Sequence, residues 1–137
     1  MTSRQAQESA RPTILLVDDH QDLRRVLARL LTREGYQVLE AEDGRAALAV
    51  IEGLRRVVDL LITDIRMPAM GGEELIEALA DRHVARRTLL MTGGENIPRE
   101  PRFAGVGVLQ KPFSREALLA RVHELLGPPT AYEQGTA

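Results

Sequence analysis

The 137 residues suffice for one domain with a real core and are too few for two comfortable ones. Hydrophobic residues at 44% exclude a disordered chain, and the absence of cysteine excludes a disulfide framework or a thiolate metal site. With 18 basic against 20 acidic residues the net charge is −2, which offers no electrostatic footprint for nucleic acid.

No apolar run approaches membrane-spanning length, and the polar segment 1–11 lacks the apolar centre of a signal peptide. A flexible start, a cytoplasmic location, and no nucleic acid or membrane partner are therefore expected. The first apolar run, Thr13 to Val17, shows no polar alternation, as in a strand buried on both faces. Leu23, Val26, Leu27, Leu30 and Leu31 follow at the spacing of one helix face, and Gly35 ends that helix after Arg29 and Arg33. Tyr36 to Ala41 is more polar and reads as an edge strand. Asp43 can cap a second helix bearing Ala47, Leu48, Ile51 and Leu54.

Val57 to Thr63 reads as a third strand, and Leu75, Ile76 and Leu79 mark a third helix. Thr88 to Met91 and Val106 to Gln110 read as two more strands. Ser114 can cap a last helix carrying Leu118, Val122, Leu125 and Leu126, which Gly127 and two prolines stop. A loose tail over 128–137 is expected. Between Thr92 and Val106 a helix is due, yet Gly93, Gly94, Pro98 and Pro101 oppose one. At most a short turn within a mobile loop is expected there.

Strand–helix alternation with short links implies a doubly wound α/β fold: a five-stranded parallel sheet with helices on both faces. Ligands of such sheets bind beyond the carboxyl ends of the strands. Asp18, Asp19, Asp64, Thr92 and Lys111 all fall at such ends, so five polar residues from four strands converge on one crevice.

Asp18 and Asp19 could merely cap the first helix, but a cap needs one aspartate. Two after an apolar strand suggest a site for a hard cation such as Mg2+. Asp64 closes a buried strand before the Met67-Pro68 turn and Gly71-Gly72. A carboxylate so placed can attack phosphorus and form an acyl phosphate. Thr92 can offer a hydroxyl to phosphate, and Gly93 leaves room for backbone approach. Lys111, ahead of Pro112 and Phe113, supplies a compact positive charge. His20 follows the acid pair and could touch the metal site, but it is expected to face solvent at the helix start; His83 and His123 fall in polar helical surroundings, and no functional role is expected for any of the three.

In this order the motifs resemble those of the receiver domain of two-component response regulators, over about Thr13 to Leu126. The resemblance implies a flavodoxin-like sheet of strand order 2-1-3-4-5 and phosphotransfer from a histidine kinase or phosphotransfer protein to Asp64. It implies Mg2+ held by Asp19 directly, by Asp18 mainly through water, by Asp64 and by the Arg66 carbonyl. Thr92, the amide of Gly93 and Lys111 would contact the phosphoryl group, and the Lys111–Pro112 bond would be cis. Beyond phosphotransfer to itself and self-dephosphorylation, no enzyme activity is implied. A downstream protein partner is.

The chain departs from the family where many receivers carry an aromatic ring three residues before the lysine. Val108 stands there and has no ring to turn inward. Ordering of the 93–105 loop on phosphorylation is the expected substitute. Ten residues follow Gly127, so a stand-alone receiver without an output domain is the first expectation, and a receiver cut from a hybrid histidine kinase the alternative. An unphosphorylated docking module is disfavoured by the complete acid, threonine and lysine set. A Mg2+-dependent aspartyl phosphatase is disfavoured because the acids are adjacent and no cap domain fits.

Overall fold

The computed structural model describes residues 11–79, 82, 84–93 and 105–127. Thr13–Val17 (β1) is buried at all five positions, because it lies between two strands and under helices on both sides. The sheet is parallel with order β2-β1-β3-β4-β5, built from Gln37–Ala41 (β2), Val58–Asp64 (β3), Ala85–Thr92 (β4) and Gly107–Gln110 (β5). This is the order implied by the resemblance, and β2 is the edge expected from its polarity.

Alternate residues of β1 feed two cores. Ile14 and Leu16 face Leu27, Ala28 and Leu31 of α1 (Gln21–Arg33), together with Leu118 and Val122 of the C-terminal helix. Leu15 and Val17 face Ala47 and Ile51 of α2 (Gly44–Gly53), and Leu75 and Leu79 of α3 (Gly72–Leu79). The period of two along the strand thus divides one apolar run between two layers. Among the described residues no helix is long and apolar enough to cross a membrane.

The caps read from the sequence form. Asp43 accepts a hydrogen bond from the Ala46 amide at 2.8 Å. Ser114 does the same for Ala117 at 3.0 Å, opening the C-terminal helix α4 (Arg115–Leu126). Gly35 takes φ 105° just past α1, a left-handed conformation that glycine adopts without a Cβ penalty.

Two expectations need correction. β4 starts at Ala85 rather than Thr88. Its first residues pair with β3, but β5 joins only opposite Leu89, so Arg86 and Arg87 stay exposed and carry no apolar signature. On α1, Val26 is 61% exposed and Ala28 takes a core position instead. Five apolar positions span more of the helix than the sheet can cover, so Leu23 and Val26 lie on its shoulder. The expected loose ends (1–11 and 128–137) apart from Arg11, the expected 93–105 loop apart from Gly93 and Gly105, and His83 lie outside the described residues.

Candidate functional site

Strand register aligns the site. Val17 pairs with Thr63, Asp64 with Met91, and Thr92 with Gln110. The next residues, Asp18 after β1 and Lys111 after β5, therefore emerge on the same sheet edge as Asp64 and Thr92. The edge is fastened by backbone bonds from Asp18 N to the Ala41 carbonyl (3.1 Å), Ile65 N to that of Met91 (3.1 Å) and Lys111 N to that of Thr92 (2.6 Å). The Lys111–Pro112 bond is cis, as expected.

The side chains meet. Lys111 Nζ lies 2.8 Å from Asp64 Oδ2 and 3.6 Å from Asp18 Oδ2. Asp18, Asp19, His20 and Asp64 each offer one donor atom, all within 4.8 Å of one another. Asp18 does not act as a side-chain cap for α1, whose N-cap is His20. Its Oδ1 instead accepts the His20 amide at 2.8 Å, tightening the loop at the end of β1. Thr92 is buried at the end of β4, with Gly93 exposed beside it. Arg66 is exposed and lines an open cavity of about 530 Å3 together with Asp19, Met67, Pro68 and Glu74. Its main chain lies beside the Asp64 carboxylate and acts to lower that group's pKa.

Burial raises the pKa of Asp64, the Lys111 hydrogen bond and charge pull it down, and the charge of Asp18 pushes it up again. The net direction is upward. Burial alone would lower that of Lys111, but the hydrogen bond to Asp64 and the charges of Asp64 and Asp18 outweigh it, and its pKa is raised. Three carboxylates against one ammonium leave the pocket two charges negative. Asp18 is wholly buried, yet its Oδ2 accepts no hydrogen bond, and Asp19 Oδ1 is likewise buried without one. A divalent cation with oxygen ligands satisfies both the charge and the orphaned acceptors, so the residues present fit Mg2+.

The sequence profile of the response regulator receiver domain family matches residues 14–123. The chain belongs to this family. A receiver is a signalling domain of two-component systems rather than a classical enzyme. This receiver is 35% identical over 124 residues to the sensor kinase CckA of Brucella abortus, covering 86% of this chain and 13% of that protein. A solved receiver domain of the hybrid histidine kinase CckA is 36% identical with TM-score 0.71, covering 83% of this chain and 98% of that one. The response regulator TrrA of Thermotoga maritima, solved in complex with Mg(2+)-BeF, is 30% identical with TM-score 0.71, covering 84% and 99% respectively. The chain spans only part of the length of the curated relatives it matches, 13% of the kinase and 48% of the transcriptional regulatory protein CpxR of Klebsiella pneumoniae.

One feature carries no signal in the sequence. Arg24, on the first turns of α1, donates from Nη1 to the Asp18 carbonyl at 2.7 Å and from Nε to Glu40 of β2 at 3.0 Å. It ties the acidic loop to the edge strand. An arginine near a helix start carries no local signal of such a tie, because Glu40 lies 16 residues away. His20 is exposed as expected and also makes the contact with the acid pair that its position left open: its Nδ1 lies 3.3 Å from Asp18 Oδ1 and 3.5 Å from Asp19 Oδ1.

Proposed function

We propose that this receiver is a phosphorylation switch. Asp64 accepts a phosphoryl group from a histidine kinase or phosphotransfer protein, and the protein's contacts with a downstream partner change in consequence. The observation that carries this reading is the juxtaposition of the Asp64 carboxylate with the Asp18–Asp19 pair and the Lys111 ammonium. An Asp64 oxygen attacks phosphorus of the donor phosphoimidazole. The P–N bond breaks as the P–O bond forms, and the imidazole leaves as a neutral ring once protonated. Lys111 moves from pairing with the carboxylate to pairing with the phosphoryl oxygens, and the Thr92 hydroxyl and Gly93 amide take further oxygens. Asp18, Asp19, Asp64 and the Arg66 carbonyl would hold Mg2+. When bound, it supplies positive charge that offsets the charge on the transferring group. Attack of water on the same phosphorus breaks the bond to the Asp64 oxygen, releases inorganic phosphate and returns Asp64 to its free carboxylate.

The chain is read as working in the cytoplasm through protein contacts, without nucleic acid or membrane. The near-neutral charge and the absence of a spanning helix among the described residues support this. A second reading places the domain in a hybrid kinase rather than as a stand-alone protein, and the similarity to CckA favours it. Incubation with a small acyl-phosphate donor and MgCl2 tests the core of the proposal. Intact mass should rise by one phosphoryl group in the wild type and stay constant in Asp64→Asn. No gain in the wild type, or an equal gain in the variant, overturns it.

A further inference from the structure

Resting on the reading of this pocket as a cation site, we infer that His20 is an additional ligand that shifts the site toward transition-metal ions. Three observations carry this. The first is geometric. His20 Nδ1 stands 3.3 Å from Asp18 Oδ1 and 3.5 Å from Asp19 Oδ1. These separations are long for a charge-assisted hydrogen bond, which closes to about 2.7–2.9 Å. They lie close to the spacing of two donors bonded to one ion at about 2.0–2.2 Å, roughly 2.8–3.1 Å at right angles and roughly 3.3–3.6 Å at tetrahedral ones.

The second is the orphaned acceptors. Asp18 is wholly buried with Oδ2 lacking a hydrogen bond, and Asp19 Oδ1 is buried without one. Lys111 lies 3.6 Å from Asp18 Oδ2 but is shared with Asp64, so two oxygens kept out of water still lack a hydrogen bond and have room for an ion between them. The third is access. The His20 side chain is 70% exposed, so an ion can reach its ring from solvent without disturbing the core. The His20 amide bond to Asp18 Oδ1 at 2.8 Å fixes the backbone that carries the ring.

The chemistry follows from donor type. Mg2+ takes oxygen almost alone and gains little from an imidazole. Ni2+, Co2+ and Zn2+ gain strongly from one, and their affinity for mixed nitrogen and oxygen sets rises along the Irving–Williams series. Three carboxylates and one imidazole form such a mixed set. The site therefore distinguishes ions by whether they recruit His20.

The test measures Ni2+ and Mg2+ dissociation constants by calorimetry on the full chain, for the wild type, His20→Ala and His20→Asp. The imidazole signals are followed in parallel by NMR. The ratio of Ni2+ to Mg2+ affinity should fall at least tenfold in both variants, and Ni2+ should strongly shift and broaden the His20 ring signals. His123 serves as the reference, since it lies with Glu34 and Tyr36, away from the acidic loop. A ratio unmoved by either substitution overturns the inference, as does a Ni2+ effect on His123 in place of His20. Failure of the wild type to bind Mg2+ would sink the cation-site reading itself. Mg2+ binding with an unmoved ratio would remove only the role of His20.

Discussion

The Lys111 ammonium sits 2.8 Å from Asp64 Oδ2, and these two ends, from β5 and β3, are 22% and 8% exposed. Neither charge is fully hydrated, and a second buried acid, Asp18, lies 3.6 Å from the same nitrogen. Lys111→Met keeps most of the apolar stem and removes the charge, leaving three carboxylates without a cation. Breaking a fully buried pair costs about 3–5 kcal/mol, and the partial exposure of Lys111 brings the expected loss to about 1–3 kcal/mol. That loss should appear in urea unfolding with EDTA present. Saturating MgCl2 should recover more stability in the variant than in the wild type, because one positive charge near the ion is gone. Equal recovery in both proteins would contradict this account.

Asp18 predicts the opposite sign. Its Oδ2 is buried without a hydrogen bond, beside two other acids. Asp18→Asn removes one of three like charges and supplies an N–H donor toward the remaining carboxylates. In EDTA the variant should be more stable than wild type by about 1–2 kcal/mol. Its melting temperature should then climb less with added Mg2+, since binding to the native state is what raises it. A variant that melts below wild type in EDTA would show that repulsion among these acids does not limit stability.

Much of this was legible in the chain because the signals are local. Thr13 to Val17 announces a two-sided strand, and Asp43 and Ser114 announce helix starts through side chains that reach only three residues ahead. The site was legible for a related reason: each of its residues directly ends an apolar run. The parts that escaped depend on distant neighbours. Asp59 Oδ2 receives the Thr13 amide at 2.7 Å across 46 residues, and neither residue's surroundings in the sequence hint at it. The opening of β4 went unread because β5 flanks only its later half, so Arg86 and Arg87 remain exposed. Val26 shares the periodicity of the core positions yet is exposed, because periodicity gives a helix face but not the width of the surface that receives it.

Gly72 couples the start of α3 to the tip of β3. Its amide donates to the Ile65 carbonyl at 2.8 Å, and a Cβ at this position would collide with the main-chain oxygen of Asp64. That oxygen is fixed by the sheet and cannot yield as a flexible side chain does. Gly72→Ala should therefore cost at least about 2 kcal/mol, in the range for forced backbone shifts, and should slow acyl-phosphate labelling by displacing Asp64. Gly53, the last residue of α2, is the control. Open space surrounds it, and Gly53→Ala should stabilise by about 0.5–1 kcal/mol through helix propensity. Chemical denaturation of both variants checks the contrast, and a tolerated Gly72→Ala would show that the loop can shift freely.

Tyr36 carries the pH dependence at the opposite end of the sheet. It is wholly buried, and its hydroxyl donates to the Gly127 carbonyl at 3.2 Å. Burial, with a smaller push from the charge of Glu34, raises its pKa to about 12. The unfolded phenol titrates near about 10. Below that pH both states hold the proton and the contribution is fully present. As pH rises toward 12 the unfolded chain releases the proton and the folded one keeps it, so stability falls by up to about 1.4 kcal/mol per unit. The total from this group is at most about 3 kcal/mol across the window. Tyr36→Phe should lose about 0.5–1.5 kcal/mol at neutral pH with its hydrogen bond. Urea unfolding of both proteins from pH 9 to 12 isolates the group, because every other titration is shared. The wild-type curve should converge on that of Tyr36→Phe and then cross below it. Parallel curves throughout would mean that the phenol gives up its proton equally well in the folded and unfolded chains.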